Sequence, residues 1–129
     1  MRIGMKATRT ITVTEALTAE AVGSGTLPVF ATPAMAALME GTAMDAVRED
    51  LEEGQGTVGT SLTISHAAPT PIGMKVFCEA ELIAVDRRKL TFKVTCRDAC
   101  GIIGEGTHER FVIDEASFLA KAESKAVTK

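Results

Sequence analysis

The stretch from Thr32 to Glu52 restricts most how this chain can fold. Thr32 before Pro33 reads as a helix start, with the hydroxyl residue as N-cap and proline at the first helical position, where a missing N–H costs nothing. Met35, Leu38, Met39, Thr42, Ala43, Ala46, Val47 and Leu51 then recur at three- and four-residue spacing. The opposite face carries Ala36, Ala37, Gly41 and Met44, so the first three turns are apolar nearly all round. Such a helix must be covered on every side. Gly54-Gln55-Gly56 ends it.

What covers it is β-structure. Thr8–Thr14 is rich in β-branched residues and reads as a first strand, Glu15–Val22 as a short helix stopped by Gly23-Ser24-Gly25. After the long helix the chain reads as strands over Thr57–His66, Met74–Asp86, Lys89–Asp98 and Ile102–Asp114. Val76, Cys78, Ala80, Leu82 and Ala84 alternate with polar or exposed positions, as do Leu90, Phe92, Val94 and Cys96, so one face of these strands is buried. The links at Asp86–Lys89 and Asp98–Gly101 are short enough for hairpins. The expected architecture is α+β: a long antiparallel sheet wrapped around one buried helix.

Composition sets the remaining bounds. With 129 residues, 46% of them apolar, and a formal charge of −3, the chain suits one folding unit, a domain over 1–129 with a body from about Lys6 to Phe118 and a frayed helical tail over 119–129. No apolar run approaches the roughly 18 residues that span a bilayer, and the polar start supplies no secretory signal, so a cytoplasmic location without membrane attachment is expected. Fourteen Lys and Arg spread among seventeen Asp and Glu, with no Tyr or Trp, disfavour nucleic acid as a partner. Three cysteines are no disulfide framework. Cys96 and Cys100, followed only by His108, fall short of a zinc set, and Cys78 and Cys96 read as small buried apolar residues; no metal is expected.

Three side chains stand out as chemistry. Glu40 is the one charged residue between Glu20 and Asp45 and lies on the helix expected to be buried, where desolvation would raise its pKa. His66 ends its strand on the Val58, Leu62, Ile64 face, pointing at the helix beside the Pro69–Gly73 loop. Thr32 is at least a cap. Gly59 permits a close backbone approach within a strand, while Gly104 and Gly106 read as a bulge accompanied by an ion pair. His108 alternates with Thr107 and Glu109, and the pattern assigns it no role.

Four ordered motifs, Val29–Glu40, Gly56–Thr60, Ser65–Met74 and Gly104–Arg110, resemble the fluoroacetyl-CoA thioesterase-like family over about residues 10 to 118. The resemblance implies the hot-dog fold, catalytic roles for Thr32, Glu40 and His66, and a substrate pocket at Gly59, with Phe30 and Met35 setting its shape. It further implies an acyl-CoA substrate, no cofactor, and a homodimer, or a tetramer built from it, with the pocket at the subunit interface. Family members selective for fluoroacetyl groups carry an aromatic lid segment before the first motif. Here that stretch is Ala21–Pro28, without an aromatic residue, so selectivity is not implied with the rest.

On that reading Glu40 and His66 activate water, or Glu40 attacks directly through an anhydride, while Thr32 hydrogen-bonds the carboxylate or the thioester. Backbone N–H groups of Ala34, Met35 or Gly59 would face the oxyanion. The alternatives are a non-catalytic acyl-CoA binder and, ranked lower, a hot-dog enoyl-CoA hydratase.

Overall fold

The computed structural model describes residues 1–127. Strand β1 (Lys6–Thr12) is followed by a 3-10 turn at Glu15–Leu17, the one-turn helix α1 (Ala19–Val22) and the long helix α2 (Thr32–Val47). Strands β2 (Gln55–His66), β3 (Lys75–Asp86), β4 (Lys89–Asp98) and β5 (Gly101–Asp114) follow, and helix α3 (Glu115–Val127) closes the chain. The strands form one antiparallel sheet in the order β1-β3-β4-β5-β2. Three consecutive strands thus form a meander, while β1 and β2 lie at opposite edges. This is the hot-dog arrangement expected from the sequence.

Helix α2 lies chiefly across β1 and β3. Val76, Cys78, Ala80 and Leu82 of β3 and Leu90, Phe92, Val94 and Cys96 of β4 meet Met35, Leu38, Met39 and Ala43 of the helix in a single core. Cys78 and Cys96 are buried, as expected, and directly opposite each other in register. Cys100 is exposed on the β4–β5 turn, away from Cys96. Arg9 of β1 reaches over α2 to Asp45, with Nε 2.6 Å from Oδ2 and Nη2 3.1 Å from Oδ1. Gly41 makes the crossing possible, since a Cβ there would collide with the Arg9 guanidinium. Among the described residues no helix is long and apolar enough to cross a membrane.

Several expectations need correcting. The long helix begins with Thr32 itself in helical conformation after Ala31, and it gives way at Val47 to a 3-10 turn over Arg48–Asp50 instead of running to Glu52. The helix is not covered on every side: Pro33, Ala37 and Met44 are exposed and Glu40 is only partly buried, because no element of this chain lies over that stripe. The first strand sits two residues earlier than expected, and Glu15–Val22 splits into two short turns around Thr18. A register slip between Leu82 and Ala84 turns Ala84 out to solvent. A second slip, between Gly59 and Ser61, reverses the phase of β2. Gly59 and Leu62 face the helix side, opposite Arg110 and His108, whereas Val58 lies opposite the exposed Phe111 on the other face. Strand pairing with β2 runs unbroken through Gly104 and Gly106, while pairing with β4 slips between Cys96 and Arg97 and leaves Ile103 as the extra residue on β5, so the expected bulge falls beside Gly104 and not at Gly106. Finally, the tail is an exposed helix from Glu115 through Val127; Thr128 and Lys129 lie outside the described residues.

Candidate active site

His66 closes β2 opposite Gly104 and comes to rest against the start of α2. The Thr32 Oγ1 is 2.7 Å from the His66 Nδ1. With the ring proton on Nε2, Nδ1 accepts the hydroxyl proton, the arrangement of a nucleophile beside its base. Thr32 therefore spends its hydroxyl on the imidazole and makes no cap, and the helix starts one residue earlier than its sequence suggests. His66 Nε2 is buried without a partner. Burial lowers the His66 pKa below the ordinary histidine value, against a smaller raising effect from the Ala68 backbone, so the ring is neutral near pH 7.

A groove of about 310 Å³ opens over this pair, lined by Thr32, His66, Phe30, Val29, Ser24 and Pro69 among others. Phe30 fixes the imidazole edge-to-face, its centroid 6.3 Å away at an interplanar angle of 73°. Met35 is fully buried, where its side chain would meet any Cβ added at Gly104, and it does not line the groove. The absence of a side chain at Gly104 thus lets helix and sheet approach beneath His66. The Met35 N–H is bonded to the Ala31 carbonyl at 2.9 Å and Pro33 has none, so Ala34, like Thr32, keeps a first-turn N–H that faces no backbone acceptor.

Glu40 lies elsewhere. It follows Thr32 by eight residues on α2, about 12 Å along the axis, so in a single chain it does not join Thr32 and His66. Its surroundings are Gly59, His108 and Arg110: a Cβ added to Gly59 would stand 3.1 Å from His108 Cε1, 3.4 Å from Arg110 Nη1 and 3.6 Å from Glu40 Oε1. The bulge that turns Gly59 inward creates this second cluster.

Arg110 holds the cluster together and was missed in the sequence. Its guanidinium, 4% exposed, donates from Nε to Thr57 Oγ1 and from Nη2 to the Thr57 carbonyl, both at 2.8 Å, and from Nη1 to His108 Nε2 at 3.1 Å. His108 in turn donates from Nδ1 to the Ser61 carbonyl at 2.8 Å. Both ring nitrogens are committed, so His108 is a fixed neutral imidazole and no metal ligand. Burial is the main cause of its lowered pKa, with the Arg110 charge adding to it and the Ser61 carbonyl, Glu40 and Glu109 opposing. Burial likewise lowers the pKa of Arg110, and Glu40 is the anion that opposes it. The ion pair expected along this strand joins Glu109 to Lys89 at 2.8 Å and leaves Arg110 out. One signal was available: Arg110 is two residues from His108, hence on the same face of β5.

Comparison with known proteins gives the family and the fold. The profile of the fluoroacetyl-CoA-specific thioesterase family matches residues 13–116. The fluoroacetyl-CoA thioesterase of Streptantibioticus cattleyicolor is 43% identical over 97 residues, 75% of this chain and 70% of that protein. A solved fluoroacetyl-CoA-specific thioesterase superposes with a TM-score of 0.91 at 37% identity, covering 97% of each chain. A variant of it solved in complex with acetyl-CoA gives 0.92 at 36%, covering 97% of this chain and 98% of that one. A thioesterase superfamily member from Thermus thermophilus shares the fold at 24% identity, with a TM-score of 0.88 over 99% of this chain and 97% of that one.

Proposed function

Given that this chain belongs to the fluoroacetyl-CoA-specific thioesterase family and is a thioester hydrolase, we propose that Thr32 and His66 cleave a small or medium acyl-CoA in the groove above them. The observation that carries the reading is the 2.7 Å contact from Thr32 Oγ1 to His66 Nδ1. The His66 Nδ1 takes the hydroxyl proton as Oγ1 attacks the thioester carbonyl. The Ala34 N–H faces the oxyanion, which forms at the positive end of α2. The C–S bond then breaks, coenzyme A leaves with the proton carried by His66, and the acyl group stays on Thr32. Water, deprotonated by His66, releases the free acid. No cofactor enters the route, because a thiolate is already a good leaving group.

Glu40 requires a second copy. The outer edge of β2 is unpaired in this chain and the Pro33, Ala37, Met44 stripe of α2 is uncovered, features that suit a homodimer whose sheets join along β2. In that dimer the Glu40 and Gly59 of one copy complete the groove of the other, and the carboxylate orients the hydrolytic water. A cytoplasmic location fits this chemistry, since acyl-CoA is made and used there.

Thiol release from a panel of short, medium and fluorinated acyl-CoAs tests the reading, with turnover expected on the smaller members. Tight binding of an acyl-CoA without turnover on any member would overturn it in favour of a binding protein.

A further inference from the structure

Resting on that reading, we infer that Thr70 and Asp98 are positioning residues for the hydrolysis, a buried brace that sets His66 against Thr32. Neither residue lines the catalytic groove. Their influence runs through the two chain segments that carry the working pair. Thr32 follows Phe30 by two residues, and His66 precedes Thr70 by four. These segments are fastened to each other where the Phe30 N–H donates to the Thr70 carbonyl at 2.8 Å, and again where Val29 bridges Pro71.

Thr70 in turn fastens the joined segments to the sheet. It is fully buried, and its Oγ1 donates to Asp98 Oδ2 at 2.9 Å. Asp98 closes β4, and its Oδ1 accepts the Cys100 N–H at 2.9 Å in the turn that leads to β5. A separate anchor holds the loop nearer His66, where the Ile103 carbonyl accepts from the Ala67 N–H at 2.7 Å and from Ala68 at 3.3 Å. The Ile103 anchor fixes the start of the loop, and the Thr70–Asp98 bond fixes the part that grips Phe30. Asp98 is 8% exposed, and no cation pairs with it among the described residues. Burying a carboxylate in this way costs desolvation that an apolar side chain would avoid, so packing alone does not account for it.

Phe30 carries the constraint to the imidazole. Its ring is 1% exposed and rests edge-to-face on His66, while its backbone leads through Ala31 into Thr32. A shift of the chain at Phe30 therefore changes both the burial of His66 and the place of the Thr32 hydroxyl. The residues set around the ring are Thr32 from α2, Phe30, and Gly104 from β5. None of them is charged, and burial with the Ala68 backbone sets the His66 pKa.

The test compares Thr70→Val, which keeps the shape and the backbone bond to Phe30 but loses the hydroxyl, with Thr70→Ser, which retains it. Asp98→Ser breaks the same link from the other end: it keeps an acceptor for the Cys100 N–H, removes the buried charge and falls short of Thr70. It serves if the valine variant, which leaves Asp98 Oδ2 without its donor, does not fold. The expected result is a kcat on small acyl-CoA lowered about tenfold at little changed KM in Thr70→Val and Asp98→Ser, and restored in Thr70→Ser. With the Phe30 wall loosened, water reaches His66 and the acid limb of kcat/KM moves up toward the ordinary histidine value. An acid limb that stays at its wild-type position, whether or not kcat or thermal stability falls, would overturn the inference, as would a loss that Thr70→Ser shares. If wild type cleaves no thioester, the thioesterase reading fails by itself; the brace is then judged by NMR titration of the His66 ring, where a raised pKa in Thr70→Val and Asp98→Ser supports it and an unchanged one overturns it.

Discussion

The molecule's two histidines sit on paired strands and face the same helix, yet they are built for opposite tasks. His66 gives one nitrogen to the hydroxyl of the exposed Thr32 and leaves the other buried and unpartnered. His108 is locked between a backbone carbonyl and a buried guanidinium, and neither of its nitrogens is free. Both rings are held below the ordinary histidine pKa, chiefly by burial. The difference teaches that a depressed pKa does not by itself mark a working base. What separates the two is an uncommitted nitrogen and a hydroxyl partner, on a ring that lines a groove.

The comparison is broken most directly at the Thr32 end. Thr32→Ala and His66→Ala should each lower kcat by on the order of a hundredfold to ten-thousandfold while thermal unfolding stays close to wild type. Thiol release kinetics read the first and calorimetry the second. Near-normal turnover in either variant would remove the pair from the mechanism. In the wild type the acid limb of kcat/KM should fall below pH 6.5, because burial favours the neutral ring that can accept a proton.

The His108 end should respond in stability. Arg110→Met leaves Thr57 Oγ1, the Thr57 carbonyl and His108 Nε2 without their donor, and a loss on the order of 3 kcal/mol is expected in urea unfolding. A loss within experimental error would mean that the three bonds are readily replaced by water.

The smallest effect sharpens the comparison through pH. For both histidines the folded pKa lies below the unfolded one, so their contribution to stability is present above pH 6.5 and is lost as the pH falls through the folded values. His108→Gln, which retains a donor for Ser61 and an acceptor for Arg110, should show a shallower loss between pH 7.5 and pH 5 than wild type. An identical slope would assign the acid sensitivity elsewhere.

Much of this was legible in the sequence, and the failures have a common cause. Strand β4, Lys89–Asp98, alternates without interruption and was read to its ends. The stripe of Met35, Leu38, Met39 and Ala43 marked the core side of α2 correctly. Ala84 and Val58 were put on the wrong face because each strand contains one extra residue, and a bulge has no reliable signature in a period-two pattern. Glu40 was expected to be buried because the helix is apolar nearly all round, but an apolar stripe does not say which molecule covers it. Thr32 and His66 were both singled out, while their mutual contact depends on how β2 meets α2, a long-range fact that spacing does not contain. The Arg110 network was invisible for the same reason, since its acceptors lie on β2.

The bulge in β2 has one more consequence. Alternation gives a strand two registers of address, inside and outside, and the extra residue at Thr60 switches the chain from one to the other partway along. Most strands tolerate a change of residue better than a change of count, and here the count is part of the chemistry. A strand of the same residues paired without the bulge would keep every proposed catalytic side chain, yet it would put Gly59 and His66, seven positions apart, on opposite faces of the sheet. In β2 the number of residues is as much a determinant of the groove as their identity.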